Sequence, residues 1–243
     1  MLAFALLIAA QQPKIVPIVP QQENFFDKRT DYKGIVIRAN RVVSDEAMIE
    51  AYRRIDMVLK NMPNALKYLV KAKAGLDIIG KDQVTTDLPD YRHLKGKPFQ
   101  AKPNEKVVTA DERTRGFGGL RFSCGEENLL KLKEDRYFGR DICVHEFAHT
   151  IQNYGLSPDI QQKIQDQYKA SMDKGRWKGA YSASDVNEFF AELTMWYFGT
   201  HGDTPRGSDI PAPGRDPFKA YDPEAFQLLD DIYSGRLKVS LKR

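Results

Sequence analysis

Histidine and cysteine are scarce in this chain: 243 residues hold four histidines and two cysteines. Any cluster among so few is therefore informative. A surplus of charge is missing too. The 37 basic and 33 acidic residues leave +4, spread along the whole length, which excludes a basic footprint for nucleic acid or an anionic membrane surface. No Asn-x-Ser/Thr triplet occurs, so N-glycosylation is not expected. Nor does any apolar run approach the ~20 residues that span a bilayer, so stable membrane insertion is not expected. What is present is ordinary for one folded domain with a sizeable core: 42% hydrophobic and 29% charged residues exclude wholesale disorder.

The first ten residues, MLAFALLIAA, read as the apolar core of a secretory signal peptide, with Ala9 and Ala10 at the cleavage point. A mispredicted start or a buried N-terminal strand is the alternative. Residues 11–33 begin QQPKIVPIVPQQ and read as an extended, proline-bearing linker. Export makes Cys124 and Cys143 a candidate disulfide, because an oxidising compartment permits one and the count is even. Two buried thiols are the other reading.

From residue 34 the pattern is α+β. Gly34–Arg38 and Leu76–Ile79 read as strands, and Ser44-Asp45-Glu46 opens a helix between them. Residues 81–105 are loop-like. Gly116–Ser123 (GFGGLRFS) reads as a glycine-rich edge strand in which Gly116, Phe117, Gly118 and Gly119 could bind an extended peptide by strand addition, or could merely bend. Helices follow over 141–154, 158–173 and 185–198, and a last one opens at Asp222-Pro223. The expected layout is an α+β subdomain over 34–155 and a mainly helical one over 156–243.

Half of the histidines fall in His145-Glu146-Phe147-Ala148-His149. Helical residues four apart share a face, so both imidazoles can meet one zinc ion with Glu146 beside it. A catalytic zinc needs a third protein ligand and an open position. No histidine occupies 150–160, so the third ligand is sought among carboxylates. The segment Asn187-Glu188-Phe189-Phe190-Ala191-Glu192 sets two glutamates at i, i+4 on a helix full of aromatics. One can bind zinc while the other accepts a hydrogen bond from a ligand histidine. Cys143 is a poor fourth ligand, because i and i+2 on a helix do not face each other. His201 follows closely enough to face the site, and His93 reads as a loop residue.

These residues resemble the catalytic domains of anthrax lethal factor and the secreted Pro-Pro endopeptidases, thermolysin-like zincins with a glutamate-bearing second helix. The likeness rests on the His-Glu-x-x-His helix and on Tyr181 seven residues before Glu188-Phe189-Phe190-Ala191-Glu192. Gly125–Leu130 through Asp141–His145 adds to it, and the likeness spans roughly 116–200. The resemblance implies a zincin-like fold, with a small mixed sheet, the His-Glu-x-x-His helix and a helical C-terminal half. It implies His145, His149 and Glu188 as ligands of one Zn2+, Glu146 as general base, Tyr181 as the oxyanion's hydrogen-bond donor, and Glu192 behind a ligand histidine. It also implies a peptide or protein substrate. The chain has no room for a toxin's receptor-binding domains, so a toxin's partner does not carry over. The expected function is a secreted zinc endopeptidase. A zinc amidase or exopeptidase acting on peptidoglycan or short peptides, and a catalytically silent binding module, are the alternatives.

Overall fold

The computed structural model of the chain describes residues 13–100, 106–137, 139–202 and 210–237. The expected signal segment 1–10 lies outside them. Three antiparallel neighbours come first: β1 (Val16–Gln22), β2 (Phe26–Tyr32) and β3 (Ile35–Ala39). Helices α1 (Asp45–Leu59) and α2 (Pro63–Ala72) then cross over to β4 (Gly75–Ile79), parallel to β3. A long connection with the single-turn α3 (Ala110–Arg113) leads to β5 (Arg121–Gly125), parallel to β4 at the sheet's far edge. The remaining elements are helical: α4 (Glu126–Leu129), α5 (Ile142–Thr150), α6 (Pro158–Asp173), α7 (Val186–Phe198), α8 (Arg215–Tyr221) and α9 (Pro223–Tyr233). Among the described residues no helix is long and apolar enough to cross a membrane.

Strand alternation gives the sheet two buried faces. Ile35, Ile37, Leu76, Ile78, Phe122 and Cys124 point into the main core with α1 and α5. Phe122 stacks on Phe147 at 4.7 Å between centroids, which seats α5 on β5. On the other face, buried Asp77 receives Arg38 at 2.9 Å and Arg121 at 3.0 Å, beside a small cluster of Phe25, Phe26, Ile79 and Leu88. Each charge there is paired, as burial demands.

Two expectations are corrected here. Residues 11–33 are no free linker, because β1 and β2 lie within them. Phe26 and Tyr32 are fully buried, so this stretch joins the core and the folded unit begins well before residue 34. Pro17 and Pro20 of β1 mark an edge strand, a place in a sheet where a missing N–H costs little. The glycine-rich strand over 116–123 is also shorter than its composition suggests. β5 starts only at Arg121, and the chain before it doubles back at Gly119 (φ +143°), so that Phe117 makes an isolated antiparallel bridge to Ser123. The Ser123 N–H donates to the Phe117 carbonyl at 2.9 Å.

Candidate metal centre

Helix α5 begins where its sequence says it should. The Asp141 carboxylate caps it by accepting the Val144 N–H at 3.1 Å, and Arg54 of α1 donates to the other oxygen of that carboxylate at 2.5 Å. Asn128 accepts the Ile142 N–H at 2.8 Å, and the Asp141 N–H donates to the Thr200 carbonyl at 2.9 Å. The helix start is thereby tied to α1, α4 and the end of α7. Helix α7 is capped by Asp185, and Gly199 ends it at φ +69°.

These anchors bring three donors together. The Nε2 atoms of His145 and His149 are 3.2 Å apart. Glu188 Oε2 lies 3.2 Å from the first and 3.7 Å from the second. A tetrahedral ion with bonds of about 2.0–2.1 Å separates its ligands by about 3.3–3.4 Å, so this triangle has the edge lengths of a zinc site. Two imidazoles and a carboxylate are also the donor set zinc takes in hydrolytic sites. Among the described residues, these three alone form a grouping of possible metal ligands.

The surroundings fix those three side chains in place. Glu192, only 2% exposed, lies with Oε1 at 3.1 Å from His145 Nδ1, which leaves Nε2 to face the triangle. The Tyr181 hydroxyl donates to Glu188 Oε1 at 3.0 Å, so the two oxygens of Glu188 face different partners. Burial acts to lower the His145 pKa, but hydrogen bonds to Glu188 and Glu192 and the field of Glu146 outweigh it and push it up to about 10. The cluster therefore favours positive charge at its centre. Burial likewise acts to raise the carboxyl of Glu188, yet the two histidines hold it far below the usual range.

Glu146 sits on the cleft side of α5. Burial raises its pKa, opposed by the histidines, and the Gly118 N–H hydrogen-bonds it. Its neighbours explain the glycines. A Cβ on Gly116 would lie 2.7 Å from the Ser123 carbonyl oxygen and 3.1 Å from Glu146 Cγ. One on Gly118 would lie 2.8 Å from His149 Cβ. The loop can lie this close to the metal helix only without side chains.

The whole opens into a cleft of about 620 Å³. Phe99 and Phe117, ring against ring at 5.8 Å, give it an apolar wall, while Arg113, Tyr181, Asp185 and Asn187 are polar. Every predicted ligand, Glu146, Tyr181 and Gly116–Gly119 line this one cleft, and Glu192 lies behind it. Cys124 of β5 and Cys143 of α5 are bonded, with Cα atoms 5.1 Å apart. Sequence reading missed Arg140 and Arg113. Arg113 stands 32 residues before His145, with no periodicity linking them.

A solved structure shares this architecture: the Pro-Pro endopeptidase PPEP-2 from Paenibacillus alvei, at 16% identity and a TM-score of 0.55 over 83% of this chain and 98% of that one. The chain has the fold of a Pro-Pro endopeptidase. No protein-family model and no curated protein sequence matches it. At that identity the likeness to PPEP-2 speaks to fold alone, and what the cleft can do rests on its own side chains.

Proposed function

We propose that this protein is a zinc-dependent endopeptidase that works outside the cytoplasm and cleaves peptide bonds within the cleft. The observation that carries the reading is the His145–His149–Glu188 triangle with Glu146 on the same helical turn. The Pro-Pro endopeptidase fold supports a peptide substrate, and the Cys124–Cys143 bond supports an oxidising compartment.

His145, His149 and Glu188 would hold the ion. Zinc, when bound, polarises the scissile carbonyl and makes water a stronger acid. Glu146 takes a proton from the attacking water on its carboxylate and returns it to the leaving amine nitrogen. Tyr181, at the cleft's polar side, donates its hydroxyl to the charge growing on the carbonyl oxygen. Glu192 orients His145. Phe99 and Phe117 receive an apolar part of the substrate and exclude water from that side.

The test joins metal analysis to cleavage profiling. Mild purification should yield about one zinc per chain, and peptides blocked at both ends should be cut. Glu146→Gln should keep the zinc and lose ~10²–10⁴-fold in kcat. A chain without zinc, or a Glu146→Gln variant as active as wild type, would overturn the proposal. Cleavage of free-ended peptides only would favour the exopeptidase.

A further inference from the structure

We propose that His201 is a positioning residue of the metal centre, holding Glu192 so that Glu192 in turn holds the ligand His145. The inference rests on the zinc reading given above.

Glu192 stands on α7 one turn past Glu188 and is almost wholly buried. A carboxylate has about four lone-pair sites, and here three nitrogens lie against its two oxygens. Oε1 meets His145 Nδ1 at 3.1 Å and Arg140 Nη2 at 2.5 Å. Oε2 meets the same Arg140 nitrogen at 2.6 Å and His201 Nε2 at 3.0 Å. Partners on both oxygens fix the plane of the carboxylate, and with it the direction from which it meets the His145 ring.

The two outer donors differ in kind. The Arg140 side chain is 32% exposed, so its bond competes with water. His201 is 5% exposed and locked in two ways. Gly199 ends α7 in the left-handed conformation and the Thr200 N–H returns to the Met195 carbonyl at 2.8 Å, which turns the chain back along the helix. The imidazole then lies flat on the Trp196 indole, with centroids 3.3 Å apart and planes 25° apart. Among the described residues buried His201 Nδ1 has no hydrogen-bond partner, so a proton there would be unsatisfied and the Nε2–H tautomer is favoured. That tautomer donates to Glu192. The result is one carboxylate shared by two imidazoles, one facing the ion and one facing away.

The experiment measures zinc affinity by competition with a chelating dye, together with the melting temperature of the metal-free chain. His201→Leu fills the same space without a donor and should weaken zinc binding ~10–100-fold while the metal-free protein stays folded. His201→Gln carries an amide nitrogen near the position of Nε2 and should bind zinc within about threefold of wild type. Should the Leu variant fail to fold, His201→Asn takes its place, because its amide is too short to reach Glu192 and the same loss is expected. Zinc affinity unchanged in the Leu or Asn variant, or lost equally in the Gln variant, overturns the positioning role and leaves the metal centre standing. A wild-type chain that binds no zinc overturns both.

Discussion

The Tyr181 hydroxyl donates to Oε1 of Glu188 at 3.0 Å, while Oε2 of the same carboxylate faces the two imidazoles. One residue thus joins the metal triangle to the group proposed to meet the oxyanion. Burial, and then the Glu188 charge, raise the Tyr181 pKa, so the hydroxyl keeps its proton at any working pH. A hydroxyl that donates at rest to Glu188 and during reaction to the substrate contributes mainly to the transition state. Tyr181→Phe should therefore lower kcat by ~10²–10³-fold with KM changed little. Zinc content should be unaltered, which steady-state kinetics with metal analysis will show. Loss of zinc in this variant would assign Tyr181 to holding Glu188 instead.

Gly118 offers a sharper test of how the cleft is built. Its missing Cβ is what lets the loop lie against His149, since a methyl would fall 2.8 Å from His149 Cβ. That atom is near the backbone and cannot swing away. Gly118→Ala should push His149 off its position and weaken zinc ~10-fold or more. Gly119→Ala is the control. It meets nothing nearer than 3.8 Å, but its φ of +143° makes the cost one of backbone strain, felt in stability and not in zinc affinity.

The His145–His149 helix is legible because its two histidines and Glu146 lie within five consecutive residues and its cap, Asp141, is local. Glu188 and Glu192 were legible for the same reason: i, i+4 spacing on a helix too aromatic to be exposed. Residues 11–33 read as a linker because of their prolines, which fix φ whether the chain is a tether or an edge strand; only pairing with β2 and burial of Phe26 decide. The loop at 116–120 shows a different limit. Glycine is compatible with a strand and with a turn, and the close packing of His149 against Gly118 is a tertiary fact. His201 was placed near the site on sequence grounds, yet it sits behind Glu192 and lines no part of the cleft, because Gly199 reverses the chain. Arg113 and Arg140 left no trace, since a lone arginine has no period.

The Cys124–Cys143 bond spans 19 residues and joins β5 to α5 two residues before His145. Closing a loop of that size removes unfolded-state entropy worth ~3 kcal/mol. Both side chains are buried, at 0% and 1% exposure, so Ala at both positions adds a small packing loss. The double variant should lose ~3–5 kcal/mol in denaturant unfolding of the metal-free chain. Wild type unfolded with a thiol reductant should fall by a similar amount. An unchanged midpoint in both would mean the bond contributes nothing to the fold.

Beneath the far end of α7, Asp230 of α9 accepts the Tyr197 hydroxyl at 2.8 Å and Arg215 of α8 at 2.9 Å, and it pairs with Arg236. Burial acts to raise its pKa, but Arg236, Tyr197 and Arg215 prevail and hold it at about 2. The folded value lies below the ordinary 3.8, so ionised Asp230 contributes stability above that value and loses it as pH falls through about 2. Water screens this partly exposed cluster, which limits the contribution to ~1 kcal/mol. Asp230→Asn keeps the shape and removes the charge. It should cost ~1 kcal/mol near neutral pH, a deficit that closes between about pH 4 and pH 2 as the wild-type carboxylate protonates. Urea unfolding of both proteins across that range measures the difference directly, and a deficit that does not change with pH would show that shape, not ionisation, makes Asp230 matter.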